Sequence, residues 1–442
     1  MYIEKSEKLK LSPLRRKVFF IILLILISLE IILFVFIKTE DTKEIDIDTT
    51  KYLQENLLTP NTTNVALKIN LYLNDIYTPY FLIAFIYNFF TVYDSFILVN
   101  ILSVDYIFSF LLKIIYYKSS YSSYDKENSD GIDIIYCGLG YAFPSEEIII
   151  AVSLYLSIWK LSNKLSFKFT KKQKIIKYIF LALIIALLFY YSFCTLLQGY
   201  YFFSHIIFSI ILGVIVYLVF LESNFFNLLK GKEFMDFIGK YNLLYIIINL
   251  SLFVIFSLIY IIMRVNIPEN NDYEICSDNE GKEFNKSENY YSYLDGTFIF
   301  NVLLLSNVFS MVGINLDLKM IYKDNENSYY QNNFPQEFDE LLYAKSKGSF
   351  AGSIHINQET VWNSTTLSVS LLRLIFILVF CWACFFPYIF VKLIEGHISL
   401  IFFIKMFLPP MLFFMGIFCY LKPFLKLMRL TNFTLQSISA DI

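Results

Sequence analysis

Three short stretches hold the residue types that phosphate-ester chemistry uses: LLKIIYYKSSYSS at 111–123, GLGYAFPSEE at 138–147 and LLQGYYFFSHIIFSIILG at 196–213. In the first, Lys113 lies at the end of an apolar run, where an ammonium must pair or snorkel to the interface. Lys118 follows it in the same stretch. In the second, Ser145 follows Pro144 where a helix begins. A serine there caps the helix, and Glu146 and Glu147 suit its positive end. A carboxyl at 147 would serve as a general acid only if burial kept it protonated. In the third, His205 is one of three histidines in the chain and the one placed at an apolar span. Such a histidine packs or hydrogen-bonds as readily as it attacks an electrophile. Each stretch alone admits a structural role. Together they offer phosphate-binding cations, a proton donor and a nucleophile.

Membrane helices must position these stretches. The chain has 442 residues, 57% hydrophobic, 19% aromatic and 17% charged, with a mean hydropathy of +0.56. A soluble domain is about 45–50% apolar and about 25% charged, whereas runs of about 20 apolar residues span a bilayer core. Backbone facing lipid must satisfy its own hydrogen bonds, and the continuous runs lack the alternation of a barrel. The fold class is therefore all-α, a polytopic membrane protein with about ten transmembrane helices. The runs lie near 18–37, 79–97, 99–117, 147–160, 176–197, 204–222, 243–263, 298–317, 372–391 and 399–421. The first is too long for the apolar part of a removable signal peptide and lacks a small-residue cleavage site. The net charge of −2 singles out no partner, and nothing points to nucleic acid.

Lysine and arginine in short loops orient the chain. Lys5, Lys8, Lys10, Arg15, Arg16 and Lys17 put the N-terminus in the cytosol, and Lys422, Lys426 and Arg429 put the C-terminus there too. The lysine-rich loop 160–177 and Lys230, Lys232 and Lys240 mark further cytosolic loops, so the three stretches above meet on the luminal face. The chain then divides into an N-terminal segment with the first span and an acidic luminal loop (1–78), a core (79–222), a C-terminal membrane region (223–425) and a cytosolic tail (426–442). The C-terminal region includes a luminal loop at 265–297, holding Cys276, and a polar cytosolic loop at 318–365 expected to be disordered. Cys381 and Cys384 form a CxxC inside an apolar run, which favours packing over redox chemistry or a metal. No metal site and no cofactor are expected.

The order and spacing of the three stretches resemble the type 2 phosphatidic acid phosphatase (PAP2) superfamily. That family's pattern is K-x6-R-P, then P-S-x-H, then S-R-x5-H-x3-D. Lys113 matches the first motif, Pro144 and Ser145 the second, and His205 the attacking histidine of the third. The Gly140-Tyr141-Ala142-Phe143-Pro144-Ser145 approach is similar to the sphingosine-1-phosphate (long-chain-base phosphate) phosphatase branch, as are Arg373, Trp382, Lys392 and Pro409-Pro410. The resemblance implies a helical core at spans three to six, extra C-terminal spans and an endoplasmic-reticulum membrane. It also implies a membrane-lipid partner, with a phosphorylated long-chain base as the candidate. Protein partners are not implied.

Several positions of the family pattern hold other residues. Ser120 and Tyr121 stand where the family has Arg-Pro, with Lys118 as a nearby stand-in charge, and Glu147 replaces the acid histidine. With His205 as nucleophile, Gln198-Gly199 replace Ser-Arg and Ser209 replaces the aspartate. A second register, shifted by four, puts Tyr201 at the nucleophile and His205 at the aspartate. Each missing charge-assisted hydrogen bond is worth about 1.5–3 kcal/mol, and lysine does not copy the bidentate arginine geometry. Losing a general acid costs roughly 10²–10⁴-fold. A degenerate member that binds lipid or serves as a scaffold, with weak or no phosphatase activity, is thus expected. The alternatives are an active phosphatase rebuilt on Lys113, Lys118, Ser145, His205 and Glu147, and a transporter whose resemblance is accidental.

Overall fold

The computed structural model describes residues 13–37, 40–57, 77–89, 92–116, 143–162, 171–197, 201–222, 232–266, 307–313, 316, 367–391 and 408–428. Among them there is no strand. Helix α1 is Pro13–Phe36, α2 Glu40–Leu57, α3 Tyr77–Phe89, α4 Val92–Tyr116 and α5 Glu146–Ser162. Then come α6 (Lys171–Leu197), α7 (Phe203–Tyr217, continued as a π-helical turn over Leu218–Glu222) and α8 (Lys232–Asn266). Last are α9 (Leu367–Val391) and α10 (Leu408–Met415), which passes through a π-helical turn at Gly416–Leu421 into α11 (Lys422–Leu427). Among the described residues, five helical stretches are long and apolar enough to cross a membrane: Val18–Phe36, Ser95–Leu112, Tyr178–Leu197, Phe203–Leu221 and Tyr241–Ile259. Shorter apolar helices lie at Leu371–Cys384 and Met411–Leu421.

The helical membrane fold follows the apolar pattern, but several boundaries move. Composition divides spans two and three near residue 98, whereas α3 ends at Phe89 and α4 begins at Val92. Asn88, Thr91, Asp94 and Ser95 flank that point, so the polar residues mark the break some eight residues before the boundary drawn from the apolar runs. Asn100 lies inside α4 because both ends of its amide are satisfied. Its Nδ2 donates to the Phe96 carbonyl at 2.7 Å, and its Oδ1 accepts from Tyr245 of α8 at 2.8 Å. Likewise, Lys232 and Lys240 belong to α8 rather than to a preceding loop. The acidic loop after the first span contains a helix, α2. Cys276, most of the 265–297 loop, the 318–365 loop and Lys118 lie outside the described residues. Cys381 and Cys384 are buried free thiols of α9, as packing requires.

Three apolar clusters hold the bundle. The largest joins α3, α4, α8, α9 and α10 and reaches Ile150 and Leu154 of α5 and Val216 and Tyr217 of α7. A second joins α5, α6 and α7 around Tyr191, Tyr201 and Ile206. The third sets Ile37, at the end of α1, against Phe143, Ile149, Phe208 and Leu212. Helices α5 and α7 pack face to face, and Gly213 permits it. A Cβ there would lie 2.9 Å from both the Ile149 carbonyl oxygen and Val152 Cβ.

Between α4 and α5 the apolar contact through Ile150 and Leu154 is joined by a polar one. Ser153 Oγ donates to Asp105 Oδ2, and both residues have no exposed surface. The other Asp105 oxygen has no hydrogen-bond partner among the described residues. Ser153→Ala therefore leaves a buried carboxyl without its donor, at a cost of about 1–3 kcal/mol. Thermal unfolding in detergent is expected to show a lower midpoint than wild type. An unchanged midpoint would show that the pair does not hold α4 to α5.

Candidate functional site

Helix α5 opens at Pro144-Ser145, with the Phe143–Pro144 peptide cis. The Ser145 carbonyl accepts from the Ile149 N–H at 3.2 Å, the first bond of the helix. This makes Ser145 the half-in residue at the helix end, where backbone N–H groups lack helical partners. Its own N–H crosses to α7 and donates to Ser209 Oγ at 2.9 Å. Ser209 in turn donates to the His205 carbonyl at 2.8 Å. The Ser145 hydroxyl was expected to cap α5; it donates instead to Glu147 Oε2 at 3.3 Å. Tyr201, just ahead of α7, donates its hydroxyl to the same oxygen at 2.5 Å. Glu147 is thus a hydrogen-bond acceptor for two hydroxyls. Its neighbour Glu146 accepts from Ser109 of α4 at 3.3 Å.

His205 lies on the first turns of α7, one helical turn from both Tyr201 and Ser209. It has no exposed surface. Its ring centroid is 5.0 Å from that of Phe143 and 5.0 Å from that of Phe202, with interplanar angles of 64° and 83°. Phe143 also packs on Phe208 at 4.7 Å. The imidazole is therefore walled by aromatic edges and faces. Lys113 is in the last turn of α4, above Ser109 and so at the same end of the bundle. Its side chain, like all of Lys118, lies outside the described residues. The structure brings Ser145, Glu147 and His205 to one end of the α5–α7 pair.

Two residues of this region were not singled out by their chemistry in the sequence. Tyr201 entered only as one register's stand-in for a histidine, yet it is the direct partner of Glu147. Asp46 of α2 is the other. The N-cap of α7 is Phe202, which offers no capping side chain. Asp46 supplies what is missing: Oδ1 accepts from the Ser204 N–H at 3.0 Å and Oδ2 from the Ser204 hydroxyl at 2.5 Å. A carboxylate at the positive end of a helix is favoured by both hydrogen bonding and the helix dipole. Asp46 is buried, and Leu53, two turns further along α2, packs on the Tyr191–Tyr201–Ile206 cluster. The run EIDID, with a leucine seven residues after its first aspartate, is the sequence trace of that inward face.

Among the described residues, the donors at this end of the bundle are turned toward protein oxygens. Phosphoryl transfer needs donors and positive charge aimed at ester oxygens. Here the Ser145 N–H, the Ser145 and Tyr201 hydroxyls and both Ser204 donors are engaged by protein oxygens. Three of the acceptor oxygens belong to Asp46 and Glu147. Among the described residues no group of three or more His, Cys, Asp or Glu side chains is arranged to hold a metal ion.

Neither a curated protein nor a solved structure matches the chain. Residues 96–228, from the first turns of α4 to just beyond α7, match the family model of the PAP2 superfamily. The bundle that carries Ser145, Glu147 and His205 is the matched segment, and its long apolar helices fit a PAP2-like membrane fold.

Proposed function

We propose that this chain is a lipid-binding membrane protein on a lipid-phosphatase-like scaffold, with little or no phosphatase activity of its own. The observation that carries the reading is the pair of hydroxyls, Ser145 and Tyr201, donating to one oxygen of Glu147. A group that accepts both of these hydrogen bonds stands where the family places a proton donor, and a carboxylate there repels a phosphate dianion. The buried ring of His205 and the engagement of Ser209 with backbone support the same conclusion. Both hydrogen bonds of Ser209 go elsewhere than the imidazole that an orienting aspartate would hold.

The ligand is a membrane lipid, and a phosphorylated long-chain base is the first to test because the family resemblance names it. The family resemblance points to an endomembrane, the endoplasmic reticulum, and the lysine distribution supports cytosolic termini with the Pro-Ser turn luminal. Purified protein in detergent micelles is expected to release no phosphate from a long-chain-base phosphate above a His205→Ala control. Retention of that lipid in a binding assay is expected to rest on its hydrocarbon chain, so the dephosphorylated base is retained as well. Release that disappears in His205→Ala would establish an active phosphatase instead.

A further inference from the structure

We propose that α2 is a strap that closes the site, and that the Asp46–Ser204 contact is its latch. Most residues of the site have almost no surface in this arrangement: Ser145, His205 and Ser209 have none, and Tyr201 is 6% exposed. Glu147 keeps some exposed surface, but any ligand that reaches His205 or Tyr201 requires a neighbouring element to move. Helices α5, α6 and α7 are fixed to one another by an extensive apolar cluster, and α1 is fixed to Phe143 and Phe208 by Ile37 and Phe34. Helix α2 differs. It is a hydrophilic helix, EDTKEIDIDTTKYLQENL, whose Ile45 and Tyr52 side chains face outward.

Among the described side chains of α2, the Asp46 carboxylate and Leu53 meet the bundle. Asp46 does not merely touch the bundle. It takes both donors of Ser204, the residue between Phe202–Phe203 and His205, and so completes the uncapped end of α7. Releasing the latch frees α2 from the pocket mouth and uncaps the turn that carries Tyr201 and His205. The strap acts on access, so it operates whether or not the pocket still hydrolyses its ligand.

A cysteine reporter tests this in purified full-length protein whose six native cysteines are replaced by alanine or serine. Tyr201→Cys reports the pocket, and Ser157→Cys, a position buried deeper on α5, reports general loosening. Modification by a soluble maleimide is followed with Asp46 intact and with Asp46→Ala, Asp46→Asn or Ser204→Ala. The expected result is slow labelling at 201 with the latch intact and an acceleration of about tenfold to a hundredfold in Asp46→Ala. Smaller increases are expected in Asp46→Asn and Ser204→Ala, each of which leaves part of the latch in place. Labelling at 157 is expected to stay slow throughout. Should Asp46→Ala fail to fold, the two milder variants decide. Equal rates at 201 with and without the latch would overturn the proposal. So would parallel acceleration at 157, which would make Asp46 a stability anchor rather than a latch.

Discussion

Glu147→His is expected to leave phosphate release at background, even though it restores the P-S-x-H motif letter for letter. A general acid contributes roughly 10²–10⁴-fold, but only to a reaction whose phosphate is already bound and aligned. The substitution returns neither of the family's arginines, at 120 and 199, nor the aspartate that Ser209 replaces. The Ser145 N–H also remains engaged by Ser209. Two absent charge-assisted hydrogen bonds remove about 3–6 kcal/mol of binding to the dianion, and that deficit acts on the same step as the acid. The companion substitution is Glu147→Gln, which keeps the shape and an accepting oxygen for Tyr201 and Ser145. It is expected to change phosphate release not at all. If Glu147 were instead a working acid, Gln would slow release by about 10²-fold or more. Phosphate release from a long-chain-base phosphate, measured for wild type, both variants and His205→Ala, separates the outcomes. A drop in Glu147→Gln, or a gain in Glu147→His, would restore the site to catalysis.

The second large effect is structural and lies beneath the site. Gly213→Val places a branched side chain where a single Cβ already falls 2.9 Å from the Ile149 carbonyl and from Val152 Cβ. Backbone cannot yield there without moving α5 away from α7. Overpacking of this kind costs typically about 1–3 kcal/mol. The same separation stretches Ser145–Ser209 and Tyr201–Glu147, each worth about 0.5–1.5 kcal/mol, more where a charge takes part. A combined destabilisation of about 2–6 kcal/mol is expected. Thermal unfolding in detergent should show a clearly lowered midpoint, with Gly213→Ala intermediate. A Gly213→Val protein as stable as wild type would show that the α5–α7 approach is looser than described.

The parts of the molecule legible in the sequence are those set by local composition. Apolar runs mark α1, α6, α7 and α8, and Pro144-Ser145 marks the start of α5, because span length and a helix end are short-range properties. The convergence of Ser145, Glu147 and His205 was legible as well, through a motif order that carries a tertiary arrangement. What was not legible depends on partners distant along the chain. Asp46 meets Ser204 across a separation of 158 residues, and nothing in an acidic loop announces which helix end it caps. Tyr201 and Glu147 are 54 apart, and a tyrosine in a chain with 34 of them carries little information by itself. The start of α4 failed for another reason. The polar residues Asn88, Thr91, Asp94 and Ser95 are scattered among aromatic and aliphatic ones, so the apolar runs were divided too late, while Asn100 is accommodated within α4 by its bonds to Phe96 and Tyr245.

The packing of α1 bears on where this protein can be cut. Ile37 and Phe34 cover Phe143 and Phe208, which belong to the matched 96–228 segment, while Asp46 completes the end of α7 within it. Both come from upstream of Phe96. The segment that matches the family model is therefore smaller than the set of helices packed with it. A fragment trimmed to the match would bare an aromatic face and leave a helix end uncapped, and a chimera that transplants the segment inherits the same defects. Packing boundaries in this chain run through side chains rather than along the limits of its motifs: α1 packs on the core through aromatic rings, and α2 meets the end of α7 through a carboxylate.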